Sequence, residues 1–229
     1  MIVAAAALAT APLWVGRFEG AGEPPSPWRV VQISRHVRPT AYRVVDHAVE
    51  ANADNSMALL ARPITIDLAA TPILCWRWRI DAPIADADMG KRSGDDYAAR
   101  VYVAFDMPDS AMSAGTRRRL ALARTLFGRD VPDAALSYVW DNSHAVGTRQ
   151  KSVYTRRAEM IVAETGSTSA GRWVAERADI AADFARAFGD KPGTPIQLAL
   201  ATDTDNTHGH ARARFADLHF VGKSEPCAP

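Results

Sequence analysis

The chain has 229 residues, 27 basic against 26 acidic side chains, a net charge of +1 and 48% hydrophobic residues, which is the make-up of an ordinary globular protein. It carries no global basic field for nucleic acid, and the run Arg117-Arg118-Arg119 reads as a solvated helix face. Two cysteines exclude a disulfide scaffold, and Cys75 and Cys227 join only if the compartment oxidises.

Residues 1–12 are apolar and alanine-rich, like the apolar and cleavage regions of a secretory signal, with Ala9 and Ala11 suited to cleavage. The charged start of such a signal is missing, so an alanine-rich tail is the competing reading. A periplasmic or secreted location is the expectation. No segment has the length and apolarity of a membrane span.

Residues 15–19 predict a first strand, ended by Gly20-Ala21-Gly22 and the Pro24-Pro25-Ser26-Pro27 break, and residues 28–33 predict a second. The segments 42–51 and 56–66 flank the turn composition Asn52-Ala53-Asp54-Asn55 and predict a hairpin. Pro63 places its second arm at a sheet edge or strand start. Leu74, Trp76, Trp78 and Ile80 then alternate with Cys75, Arg77 and Arg79, the period of a half-buried strand. Tyr97, Ala99, Val101, Val103 and Phe105 repeat the pattern against Arg100, Tyr102 and Ala104. Read as neighbours, these two strands bury one face and align arginines and a tyrosine on the other.

Leu120, Ala123, Leu126 and Phe127 recur at helical spacing, with Gly128 as the stop, and predict a helix over the rim. Strands follow at 136–140, 151–164 and 172–177. A second helix is capped by Asp179, stacks Ile180, Phe184 and Phe188, and ends at Gly189. Strands at 195–202 and 211–221 close the chain, joined by an Asp- and Asn-rich loop. About ten short strands with turns between them predict a mainly β fold, an antiparallel jelly-roll sandwich with two short helices. One domain over 15–222 lies between tails at 1–14 and 223–229.

Several motifs occur in one order: Trp76-Arg77-Trp78-Arg79, Gly94-Asp95-Asp96-Tyr97-Ala98-Ala99-Arg100-Val101-Tyr102-Val103, Tyr138-Val139-Trp140, and Thr202-Asp203-Thr204-Asp205-Asn206-Thr207. Asp183-Phe184, Ala187-Phe188-Gly189 and Phe215-Ala216-Asp217-Leu218-His219-Phe220 complete the set. Together they resemble the domain-of-unknown-function 3047 family of exported bacterial proteins. That resemblance implies an envelope or periplasmic protein and supplies no activity or site. A broader likeness is to carbohydrate-binding jelly rolls, which often hold a structural calcium near their paired first and last strands. In that analogy Glu19 and Asp217 are the residues that would hold the calcium; fold alone does not establish function.

Asp203, Asp205 and Asn206 concentrate hard oxygen ligands as calcium requires, but the same residue types dominate ordinary turns. Arg77, Arg79, Arg100 and Tyr102, with Asp96 beside them and Tyr138 and Trp140 flanking, form the candidate ligand face. Guanidinium forks suit carboxylates and other anions. Alternatively, an ion pair from Asp96 to Arg100 or Arg77 neutralises that face. His208-Gly209-His210 has a metal-like spacing without a third ligand. Trp76 and Trp78 read as core; Trp28, Trp140 and Trp173 read as core or as sugar-stacking platforms. No nucleophile elbow, P-loop, dinucleotide fingerprint or zinc helix is present. The leading reading is an exported sandwich that binds a carbohydrate or anionic ligand without turnover. The rivals are a lyase or hydrolase of an envelope polysaccharide, drawing on His144, His208, His210 or a tyrosine for proton transfer, and a structural module of an envelope assembly.

Overall fold

The computed structural model describes residues 11–127, 131–189 and 193–228. Two sheets face each other across a single core. The six-stranded sheet is built from β1 (Leu13–Gly16), β3 (Ala41–Val45), β4 (Ala48–Asp54), β6 (Ile73–Ile80), β11 (Val174–Asp179) and β13 (His210–Val221). It runs in the order β11-β6-β13-β4-β3, with β1 paired to the far half of β13. The seven-stranded sheet is built from β2 (Arg29–Val31), β5 (Leu59–Pro63), β7 (Arg100–Asp106), β8 (Ala134–Asp141), β9 (Arg149–Lys151), β10 (Ala158–Thr165) and β12 (Thr194–Ala201). Its order is β2-β5-β12-β7-β8-β10-β9, antiparallel except for β8 and β10. The molecule is therefore the mainly β, jelly-roll sandwich that the alternation predicts.

Period-two patterning sets the core. Trp76 and Trp78 of β6 meet Tyr138 and Trp140 of β8 across the sheets, with ring centroids 5.4 Å apart for Trp76–Tyr138 and 5.7 Å for Trp78–Trp140. Such aromatic pairs add about 0.5–1.5 kcal/mol each beyond the area they bury. On β13 the inward residues are Ala213 and Phe215, then Leu218 and Phe220. A bulge between Ala216 and His219, where Asp217 has φ 56°, inserts the extra residue that restores Leu218 and Phe220 to the core.

Both helices form. In α2 (Ile180–Phe188) the Asp179 carboxylate accepts the Ala182 N–H at 2.9 Å, and Gly189, at φ 92°, ends the helix. Phe184 packs on Phe105, so α2 closes one end of the sandwich. In α1 (Ala114–Phe127) Leu120 is buried; the side chains of Ala123, Leu126 and Phe127, and the stop at Gly128, lie outside the described residues, as do residues 1–10. Cys75 and Cys227 are disulfide-bonded, their Cα atoms 5.7 Å apart, which staples the C-terminal segment to the outer face of the six-stranded sheet.

Four local expectations are corrected. The hairpin lies within 41–54, turning at Asp46 and His47 in left-handed backbone, while residues 55–58 carry the chain across to β5 in the other sheet. Residues 151–164 are two strands separated by a turn rather than one. Strand β1 ends at Gly16, which leaves Glu19 exposed in a loop. Most consequentially, β6 and β7 belong to opposite sheets, so Arg77 and Arg79 cannot share a face with Arg100 and Tyr102.

Candidate functional site

The outer face of the seven-stranded sheet carries two apolar patches. Val31, Ala61 and Ala199 form one, with Tyr102 packed on it; Met89, Tyr97, Val139, Met160 and Val162 form the other. Between them the surface turns polar, because Arg100, Tyr102 and Ser137 point outward from β7 and β8. The segment 33–37, the turn at 152–155 and the loop at 203–206 enclose this strip in a cavity of about 420 Å³. That volume lies in the range of small-ligand sites, about 300–1,000 Å³.

Arg100 is 3% exposed and its guanidinium is fully engaged. Its Nε donates to Asp203 Oδ1 at 3.0 Å and its Nη2 to Asp203 Oδ2 at 2.6 Å. Nη1 reaches Asp95 Oδ1 at 3.4 Å, Nη2 also donates to the Asp95 carbonyl, and the guanidinium lies over the Tyr97 ring. Burial opposes the charge, but the Asp203 and Asp95 carboxylates outweigh it and hold the Arg100 pKa well above its ordinary value. On Asp203, burial acts upward, Arg100 pulls down, and Asp96 and Asp95 add to the rise.

Asp96 is fully buried and does not pair with Arg100 or Arg77. It accepts the Asn206 N–H (3.0 Å), Asn206 Nδ2 (3.0 Å), the Thr207 N–H (2.6 Å) and Thr207 Oγ1 (2.7 Å), and so fixes the 203–207 loop at the cavity wall. Asp205, half-buried at the wall, is raised by burial first and by repulsion from Asp96 second. Tyr154, 52% exposed, donates to Asn206 Oδ1 at 3.1 Å and presents its ring at the mouth. On the floor, the Ser137 hydroxyl is buried and faces that of Tyr102, with no other partner among the described residues. Burial also raises the Tyr102 hydroxyl.

Carboxylate oxygens of Asp96, Asp203 and Asp205 lie within 4.8 Å of one another. They do not make an open oxygen cage for calcium. Donors cover both oxygens of Asp96, Arg100 supplies the cation to Asp203, and Asn206 acts as a donor into Asp96. Glu19 and Asp217 form no cluster with a third ligand among the described residues, and Asp217 binds Arg77 Nε at 2.5 Å. His208 Nδ1 faces Asn55 Oδ1 at 2.9 Å.

The expected ligand face therefore divides. Arg100, Tyr102, Asp203, Asp205 and Asn206 meet at one cavity. Tyr138 and Trp140, expected to flank it, are corrected to core: their side chains point between the sheets and are 2% and 1% exposed. On the outer face that holds Arg77 and Arg79 most charges are neutralised, with Arg77 on Asp217, Arg212 on Asp81, and Arg43 and Arg214 on Glu50, while Arg79 pairs with no carboxylate among the described residues. Trp173 lies over Arg77 there. Sequence reasoning missed Ser137 and Tyr154. Ser137 alternates with Leu136 and Tyr138 and was findable; Tyr154 sits in a turn that carries no periodic signal.

A family model described as "Protein of unknown function (DUF3047)" matches residues 26–219. Among solved structures, the chain is similar to one titled "CBM4 structure and function", at 11% identity and a TM-score of 0.44 over 91% of this chain and 97% of that one. It is also similar to the xyloglucanase domain of NopAA, a type three effector from Sinorhizobium fredii, in complex with cellobiose, at 9% identity and a TM-score of 0.46 over 94% of this chain and 100% of that one. No curated protein matches.

Proposed function

We propose that this chain, which belongs to the DUF3047 family of unknown function, binds a carbohydrate in the cavity on the outer face of its seven-stranded sheet. One observation carries the reading: the buried Ser137 hydroxyl, which has only the Tyr102 hydroxyl beside it to bond, lies on the floor of a ligand-sized cavity. A hydroxyl bonded once keeps capacity for a second partner, which a ligand hydroxyl fills. The remaining walls suit the same chemistry. Tyr154, with Arg92 over one face of its ring, offers the other to the C–H face of a sugar, and Asp205 and Asn206 offer acceptors and donors to its hydroxyls.

Charge narrows the ligand. The cavity is lined by three carboxylates, Asp95, Asp203 and Asp205, against the single guanidinium of Arg100, which they already neutralise. An anionic group at this point meets repulsion, so the sugar seated here is neutral. The Cys75–Cys227 disulfide supports a periplasmic or secreted setting, because such bonds persist in oxidising compartments.

Calorimetric titration with neutral oligosaccharides such as cellotetraose and xylotetraose tests the proposal. Ser137→Ala and Tyr154→Ala each weaken binding about tenfold, as expected for a lost hydrogen bond or stacking contact. Binding unchanged in both variants, or absent from wild type across the panel, overturns it.

A hydrolytic reading is favoured by one observation, the approach of Asp203 and Asp205 in a sugar-sized cavity with burial acting upward on both. Asp203 is held at both oxygens by Arg100, which leaves Asp205 alone to move a proton. Binding is therefore the reading adopted. Release of reducing sugar that disappears in Asp205→Asn reverses that choice.

A further inference from the structure

A second, larger cavity of about 920 Å³ lies beside the first, between α1 and the starts of β8 and β10. Tyr154 and Ala158 line both, so the two are separated only by the rim on which the Tyr154 ring stands. Their charges are opposite. Arg119 of α1 and Arg156 and Arg157 of the 152–157 turn line the second cavity, and among the described residues no carboxylate does.

These arginines are not equivalent. Arg157 is tied to the Asp133 carbonyl and the Met107 sulfur, a structural role. Elsewhere on α1, Arg124 is committed to Asp133, and Arg117 donates to the carbonyls of Asp109 and Met112. Arg119 and Arg156 are exposed and pair with no carboxylate among the described residues, although most arginines on the six-stranded sheet's outer face are neutralised. Two unspent guanidinium forks on the walls of one groove suit a carboxylate or another oxyanion.

We infer that the bound carbohydrate continues past Tyr154 into this basic groove, and that the ligand is an acidic polysaccharide seating a neutral unit beside Ser137 and carboxylate-bearing units between Arg119 and Arg156. The inference rests on the sugar-binding reading of the first cavity and adds to it the ligand's class and direction. The acidic first cavity excludes the carboxylate-bearing unit, and the basic groove attracts it. The opposed charges thus fix which way the chain lies, and Tyr154 stacks on the unit at the junction. Ordering the chain this way reconciles an anionic ligand with an Arg100 that has no charge left to offer.

The test compares two probes by calorimetry at low and moderate salt: cellotetraose, which is neutral, and an oligosaccharide of alternating glucose and glucuronate. The acidic probe binds about tenfold or more tightly than the neutral one, and the preference falls as salt screens the groove. The Arg119→Ala, Arg156→Ala double variant, whose changes are on the surface, loses that preference and keeps its affinity for cellotetraose. Ser137→Ala weakens both probes. If wild type shows no preference, or the double variant retains it, the groove inference is overturned while sugar binding stands. If the double variant loses all affinity for the acidic probe and Ser137→Ala changes neither, the first cavity is not the sugar site and both readings fall. An inorganic tripolyphosphate that binds the groove more tightly than the acidic oligosaccharide also overturns the inference, because the groove is then a phosphate site.

Discussion

Arg100 grips both oxygens of Asp203, a residue 103 positions later in the chain, at 3.0 and 2.6 Å. Strand pairing sets up the grip. Arg100 is the register partner of Ala201, so the chain leaving β12 needs only two more residues to bring a carboxylate over the guanidinium.

Removing one member leaves the other charged and buried. Asp203→Ala lowers stability by about 3–5 kcal/mol, the usual cost of breaking a buried pair. The double variant Arg100→Met, Asp203→Leu recovers part of that loss, because the buried pair is removed together and Asp95 alone loses a partner. Urea denaturation of the three proteins checks this, and a double variant no more stable than Asp203→Ala refutes it.

Stability falls as pH rises from 5 to 8. Burial lifts the Glu176 carboxyl from its ordinary 4.5 to about 7, with the Trp78 hydrogen bond opposing and Glu164 adding to the rise. The folded state then binds the proton more tightly than the unfolded state. Its contribution is complete below pH 4.5 and is lost as the pH passes through 7. Glu176→Gln keeps an acceptor for Trp78 Nε1 and flattens this profile, raising stability at pH 8 by on the order of 1–2 kcal/mol. Melting curves at pH 5 and pH 8 for both proteins measure it, and parallel profiles refute it.

The disulfide closes a loop of 152 residues between Cys75 and Cys227. In the chain-entropy account a loop of that size stabilises by roughly 5 kcal/mol. Cys75→Ser with Cys227→Ser lowers Tm by about 10 °C or more and exposes the segment after Val221 to proteolysis. A Tm within a few degrees of wild type sinks the expectation.

Asp179→Ala removes the carboxylate that caps α2 and costs about 1 kcal/mol. Asp179→Ser, which restores an oxygen acceptor, recovers most of it. Equal losses in the two variants assign the effect to something other than capping.

What sequence made legible is local. The inward set Trp76, Trp78, Val101 and Val103 follows from a period of two, and Asp179 and Gly189 mark the ends of α2 by cap chemistry that acts within four residues. Which sheet a strand joins is not local. The patterns of β6 and β7 are alike, yet the chain between them crosses from one layer to the other, and alternation carries no signal for that crossing. The same blindness hid the partner of Arg100: Asp96 is near in sequence but spends its oxygens on Asn206 and Thr207, whereas Asp203 arrives through strand register. Tyr138 and Trp140 were placed wrongly against a signal that was present, since they alternate with Ser137 and Val139 and share the inward parity of Leu136.

The packed rings of Trp76, Trp78 and Trp140 have an optical consequence. No tryptophan lines either cavity, and these three sit between the sheets, across the seven-stranded sheet from the first cavity. Their emission and near-ultraviolet dichroism report the closeness of the two layers and collapse when the layers part. A sugar arriving at Ser137 leaves that signal unchanged. The molecule thus carries a sensitive internal gauge of its own unfolding that is dark to occupancy, and a flat fluorescence titration says nothing about whether a ligand has bound.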